Sequence, residues 1–217
     1  MKPALSHLFT IAREWSLTNN ANPYLGVRRN KDTPRDYYTG DIVWNAVYDA
    51  AAQELKTLWT WPTWQHPADV LKVATTDLST EFLMVKQGKT EKKLRLRLND
   101  KGVQSGLSAF INDLQERRAL SGIKTSRLIT NKSGLRMSQQ MLRNRWDEAR
   151  EKTATKAGAD GDSALAVLIR QFQFKDIRPK AASEIELTHA NRLLGHTTEE
   201  MTKKFYRRVG EIVKPTK

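Results

Sequence analysis

The residues best equipped for chemistry lie between Leu193 and Arg208, in LLGHTTEEMTKKFYRR. His196 directly follows a glycine, and after a short polar stretch Tyr206 stands among basic residues. A phenolic hydroxyl can serve as a nucleophile, and an imidazole can hold or carry a proton. Upstream, FKDIRPKAASEI places Lys175 and Arg178 three residues apart. A guanidinium grips phosphate through two parallel N–H bonds, whereas an ammonium acts as a point charge. Arg178 falls early in an expected helix, so its side chain and the helix N-terminus can both face an anion. These types suit a phosphate group whose negative charge grows during reaction. Plainer readings also exist: a surface arginine, a helix-cap histidine, and a tyrosine packed beside a basic tail.

The elements that must position these groups are mostly helical. Residues 4–17 put Leu5, Leu8, Ile11, Ala12 and Trp15 on one helical face, which ends at TNNANPYLG. Residues 22–38 read as a basic linker with two prolines. Thr39 is expected to cap a helix carrying Ile42, Val43, Ala46, Val47 and Ala50. Leu55 to Trp64 is apolar and holds Trp59, Trp61 and Trp64, and Pro67 suits the first position of a short helix, PADVLKV. One β signal stands out: Phe82–Lys86 and Leu94–Leu98 flank the turn QGKTEKK, with leucines and arginines alternating in LRLRL. Leu128 and Ile129 are a candidate further strand. Helices are expected over 103–119, 138–153, 177–186, 188–194 and 198–209, with KAGADGDS (156–163) as a loop. The expected fold class is mainly α with a small antiparallel β-sheet (α+β).

Composition narrows the partners. The chain of 217 residues has 37 Lys+Arg against 24 Asp+Glu, a net charge of +13. Such an excess favours a polyanion, because each cation set against a phosphate releases counterions. Cysteine is absent, which excludes disulfides, zinc ribbons and thiol catalysis, and the four histidines are too scattered for a metal cluster. No apolar run approaches the roughly 20 residues of a membrane helix. The N-terminus lacks the uninterrupted apolar core of a secretion signal. No metal, small-molecule cofactor or membrane partner is expected.

Five places in this order resemble the catalytic domain of the tyrosine recombinase (phage integrase) family: WQHPADVLKV, the Gly-Lys-Thr of VKQGKTEKK, Lys175, Arg178, and the LGH…Y segment. The resemblance spans residues 66–206. It implies attack of a tyrosine on a DNA phosphodiester, leaving a 3′-phosphotyrosyl bond and a free 5′-hydroxyl without metal or cofactor. Arg178 would match the family's second arginine, and Lys175 would stand where many members have histidine. Lys89 would match the lysine that protonates the leaving oxygen, with Lys86, Lys92 and Lys93 as rivals. His196 would match the histidine that hydrogen-bonds a non-bridging phosphate oxygen. By the same resemblance, residues 1–20 would end a core-binding domain, 21–38 would be a basic linker, and 39–217 would form the catalytic domain. Double-stranded DNA is the implied partner, touched by Arg28, Arg29, Lys31, Arg35, Lys92, Arg207 and Arg208. A homo-tetramer on DNA, assembled through C-terminal segments such as EIVKPTK, is also implied. So are prophage integration as the setting and the cytoplasm of a bacterial or phage-infected cell as the location.

Two positions depart from the family pattern. His66 stands where the first catalytic arginine belongs; histidine is shorter, donates fewer hydrogen bonds and is mostly neutral at pH 7. Asp69 nearby is expected to pair with His66 and raise its proton affinity. The ninth residue after His196 is Phe205, in the register of the family tyrosine, while Tyr206 is the tenth. On a continuous helix Tyr206 would lie about 100° away from that register. Two readings follow: a recombinase using Tyr206, or a catalytically inactive DNA-binding module on the same fold, acting as a regulator or relic.

Overall fold

The computed structural model describes residues 2–28, 35–63, 65–100, 102–122, 124–196 and 198–206. The chain divides into two compact units, Met1–Arg35 and Asp36–Lys217. In the first, helix α1 (Lys2–Glu14) is followed by a turn in which buried Asn22 donates to the Ser6 carbonyl at 3.1 Å and the Ser6 hydroxyl at 3.0 Å. Within this unit the expected apolar face is largely exposed at Leu8 and Trp15.

The second unit opens with α2 (Asp41–Ala50) and α3 (Gln53–Trp59). Thr39 does not cap α2. Gly40 occupies the N-cap without a side-chain bond, and the buried Thr39 hydroxyl finds no hydrogen-bond partner among the described residues. The short helix α4 (Pro67–Val70) follows, with proline at its start as expected, because the missing N–H is not needed there. Strands β1 (Phe82–Lys86) and β2 (Lys93–Arg97) pair antiparallel, Met84 opposite Arg95. Leu94 and Leu96 turn inward while Arg95 and Arg97 face solvent, the alternation that LRLRL requires. A two-residue pair, β3 (Asn99–Asp100) and β4 (Val103–Gln104), leads into α5 (Gly106–Leu120).

Leu128 and Ile129 are buried but do not form a strand. Their neighbours make only single bridges, Ala74 with Arg127 and Thr130 with Arg136. The expected 156–163 loop is also shorter than its composition suggests. Helix α6 (Gln139–Ala159) runs through Gly158, and α7 (Ser163–Gln171) starts directly after Asp162. Asp162 accepts the Leu165 N–H at 2.8 Å and so caps α7. A 3-10 turn (Phe174–Asp176) then leads into α8 (Ile177–Ser183), α9 (Leu187–Leu194) and α10 (Glu199–Phe205).

The core is aromatic where α2, α3, α6 and α7 meet. Trp59 lies 4.9 Å from Trp44 and 5.1 Å from Trp146, and Phe172 sits edge-on to Trp146 at 4.9 Å. Edge-to-face pairs add about 0.5–1.5 kcal/mol each beyond the area they bury. Small residues Ala149, Ala154, Ala157 and Ala166 are buried between α6 and α7, so the two helices approach closely. This rigid block carries the 3-10 turn and α8, and therefore Lys175 and Arg178.

Candidate active site

Three separate segments converge through side-chain amides. Buried Gln65 donates to the carbonyls of Leu193 and, at 3.4 Å, Thr63. Gln87, at the end of β1 and also buried, donates to Gln65 Oε1 and to the Leu194 carbonyl, both at 3.0 Å. Its own Oε1 accepts from the Thr90 hydroxyl at 2.7 Å. Every polar atom of the Gln87 amide is thus used, as burial demands. The ladder ties the chain before α4, the β1–β2 turn and the end of α9 together. Gly195 closes α9 in the left-handed conformation (φ 71°), and a Cβ there would collide with the Gln87 side chain. Both constraints explain the glycine before His196.

Asp69 completes the arrangement from the other side. Its carboxylate is buried and accepts the Gly88 N–H at 2.9 Å, with Lys72 Nζ at 3.9 Å. It therefore holds the turn that presents exposed Lys89. The expected pairing of Asp69 with His66 is not found among the hydrogen bonds. His66 instead accepts the Ala68 N–H at Nδ1 (3.3 Å), capping α4. Burial of part of its ring, then the Arg178 charge, lower the His66 pKa, and the opposing pull of Asp69 is outweighed. The expectation that Asp69 raises His66's proton affinity is thus corrected: burial first, and then the cationic neighbours, outweigh it.

Arg178 is half-buried at the centre. Its Nη2 donates to the Leu194 carbonyl at 3.1 Å, the same oxygen that Gln87 uses. Nη1 stands 3.5 Å from Tyr206 Oη, and the guanidinium carbon lies 5.1 Å from the Tyr206 ring centre. The buried Nε has no hydrogen-bond partner among the described residues. Burial lowers the Arg178 pKa, countered by Tyr206 and Asp69. A desolvated guanidinium with spare donors is a ready receptor for an anion.

Tyr206 meets this guanidinium. Helix α10 stops at Phe205, and Tyr206 leaves the helical path with φ −123° and ψ −26°. Its N–H still donates to the Thr202 carbonyl at 3.0 Å, and its own carbonyl accepts the Ser183 hydroxyl at 3.1 Å. The Tyr206 ring lies 4.7 Å from that of His196. His196 Nδ1 is 2.8 Å from Thr202 Oγ1, and Thr202 Oγ1 donates to Asn191 Oδ1 at 3.0 Å. Burial, then the charges of Arg178 and Lys92, push the His196 pKa down to about 4.

A cleft of ≈ 640 Å³ opens beside these groups, with His66, Arg143, Lys175, Arg178 and Tyr206 on its lining. Lys175 is exposed on the 3-10 turn. Lys89 is near enough for its charge to act on His66. Lys92 is turned inward, its Nζ 3.3 Å from the Gly195 carbonyl, so part of its capacity is used within the protein. Arg28 and Arg35 belong to the first unit, whereas Arg29, Lys31, Arg207 and Arg208 lie outside the described residues, as do Trp64 and the EIVKPTK segment. Among the described residues no group of three or more His, Asp or Glu could hold a metal ion, and no helix is long and apolar enough to cross a membrane. Gln87, Asn191, Thr202 and Ser183 were not singled out in the sequence, since uncharged side chains at long separation give no local signal.

No protein-family model matches the chain, and neither does any curated protein. Among solved structures, it is similar along its whole length to a lambda integrase tetramer bound to a Holliday junction (17% identity, TM-score 0.69, 60% of that chain covered). It is likewise similar to a lambda integrase dimer bound to a COC′ core site (16% identity, TM-score 0.66, 100% of this chain and 60% of that one). The lambda integrase catalytic core matches 75% of this chain and 96% of its own, at 17% identity and TM-score 0.51. The chain thus spans about 60% of the length of the first two integrases. The fold is that of a tyrosine recombinase catalytic domain: mainly helical with a small antiparallel sheet.

Proposed function

We propose that this chain binds double-stranded DNA and cleaves one strand by attack of Tyr206 on a phosphodiester, as a phage-integrase-type recombinase domain. One observation carries the reading: Tyr206 Oη lies 3.5 Å from the half-buried Arg178 guanidinium, and both line the same cleft. A phosphate entering beside Tyr206 would meet this guanidinium, whose charge stabilises an anion most where water is excluded. Lys175 would add a second cation from the cleft rim. Oη would form a bond to phosphorus as the P–O5′ bond breaks, and Lys89 would give its proton to the departing 5′ oxygen. Asp69 and Gln87 would act on that step indirectly, by fixing the turn that carries Lys89. The integrase structures of like fold are bound to DNA, which supports the choice of partner.

A second reading, a DNA-binding module without cleavage, is favoured by His66. A histidine whose proton affinity is lowered supplies no fixed cation where the family has an arginine. Loss of one charge-stabilising donor costs on the order of 10²–10³ in rate. Incubation with a pool of nicked duplexes of randomised sequence, followed by selection for protein attached covalently to DNA, separates the two. An adduct that disappears in Tyr206→Phe supports cleavage. Retained DNA binding without adduct, and an adduct gained by His66→Arg with Phe205→Tyr, would support the silent module instead.

A further inference from the structure

We propose that Lys180 is a positioning residue for strand cleavage: by tying α8 to residues 38–41, it sets where Arg178 stands against the Tyr206 hydroxyl. This rests on the strand-cleavage reading and adds to that site a residue on the opposite side of α8.

Helix α8 has seven residues, too few to hold together or stay in place through its own hydrogen bonds. Its neighbours must fix it. Arg178 and Lys180 are two positions apart, about 200° around the helix axis, so their side chains leave on opposite sides. On one side, Arg178 Nη1 stands 3.5 Å from Tyr206 Oη. The Ser183 hydroxyl, at the end of the same helix, donates to the Tyr206 carbonyl at 3.1 Å. On the other side, Lys180 is buried, and its three N–H groups match three acceptors: Asp41 Oδ1 at 2.6 Å, Glu184 Oε1 at 2.7 Å and the Tyr38 hydroxyl at 3.3 Å. The Tyr38 hydroxyl passes its own hydrogen to Glu184 Oε1 at 3.2 Å, which closes the set. The ammonium also lies 4.8 Å from the Tyr38 ring centre and 5.5 Å from that of Trp44, which packs edge-on against Trp59 in the aromatic core. A buried ammonium is tolerated only with such complete pairing, and its bonds are directional where apolar contact is not. The anchor therefore fixes the rotation and height of α8 against the start of α2. A shift of about 1 Å in a group that serves a reacting centre costs on the order of 10²-fold in rate.

On a nicked duplex selected from the randomised pool, at saturating DNA, Lys180→Met should slow adduct formation by about 10²-fold with unchanged DNA affinity. A general loss of stability would act differently. Leu114→Ala opens a cavity in α5, a helix that bears no residue of the anchor or the site, and should lower the urea midpoint while leaving the rate as it is. A second readout does not depend on cleavage. In protein labelled with 13Cζ-tyrosine, Tyr206→Phe assigns the Tyr206 signal among the five tyrosines. Lys180→Met should move that signal towards its position in Arg178→Gln. If Lys180→Met does not fold, Asp41→Asn combined with Tyr38→Phe, both at exposed side chains, weakens the same anchor and should give the same two changes, smaller in size. A Tyr206 signal unmoved in the folded anchor variants would overturn the proposal. So would an unchanged rate, a loss confined to DNA affinity, or an equal loss of rate in Leu114→Ala. Absence of adduct in the wild type would overturn the cleavage reading itself, while the Tyr206 signal still decides whether Lys180 places Arg178.

Discussion

At the scale of single residues, His196 and Arg178 behave as a neutral ring beside a desolvated cation. With a folded-state pKa near 4 against the ordinary value of 6.5, His196 is neutral in the fold throughout the neutral range. Between these values the unfolded chain binds more protons than the folded one, so stability should fall as pH drops from about 6.5 to 4. Urea unfolding of wild type and His196→Gln at pH 7.5 and 4.5 checks this: the variant should show a flatter dependence. Lys180 shows the opposite sign. It is buried, with Nζ 2.6 Å from Asp41, 2.7 Å from Glu184 and 3.3 Å from the Tyr38 hydroxyl. Burial alone would favour its neutral form, but these bonds outweigh it and raise its pKa. Lys180→Met removes a charged hydrogen-bond set two residues from Arg178. Folding stability should drop by about 1.5–3 kcal/mol, read from urea midpoints at unchanged slope.

At the scale of elements, the amide ladder of Gln65 and Gln87 and the left-handed Gly195 set the distance between the β1–β2 turn and α9. Gln87→Ala should leave the buried Gln65 Oε1 without its donor, while Arg178 still serves the Leu194 carbonyl, costing about 1–3 kcal/mol. It should slow adduct formation more than it weakens DNA binding, measured by anisotropy on the same DNA. Gly195→Ala combines backbone strain with a clash against Gln87 and should be the more damaging change. This ladder also marks the limit of what the sequence discloses. The alternation of KLRLR, the proline that opens α4 and the charge pattern around Lys175 and Arg178 are local signals, and each is legible. The joining of Gln65, Gln87 and Leu194 spans more than a hundred residues and has no local pattern. Helix α7 is hidden in the sequence because Asp162 and Ser163 have the composition of a loop, although Asp162 is its cap. Where Tyr206 sits is likewise a tertiary matter: periodicity assumes that a helix continues, and α10 ends one residue earlier. The burial that lowers His66's proton affinity is likewise a tertiary effect, invisible beside the nearby Asp69.

At the scale of the whole molecule, the net charge of +13 and the open cleft suit a polyanion better than a small ligand. Binding to duplex DNA should be weak and steeply salt-dependent, falling by about 10³-fold between 50 and 200 mM salt if several phosphates are neutralised. A nanomolar affinity indifferent to salt, measured by fluorescence anisotropy, would contradict this. The recombinase-type fold leaves open which hydroxyl attacks, and that choice is the centre of the account. The most direct measurement is peptide mapping by mass spectrometry of the covalent adduct trapped on nicked duplex DNA. The account predicts a single modified peptide bearing a 3′-phosphonucleotide on Tyr206. The same modification on any other residue, or an adduct that persists in Tyr206→Phe, would contradict it.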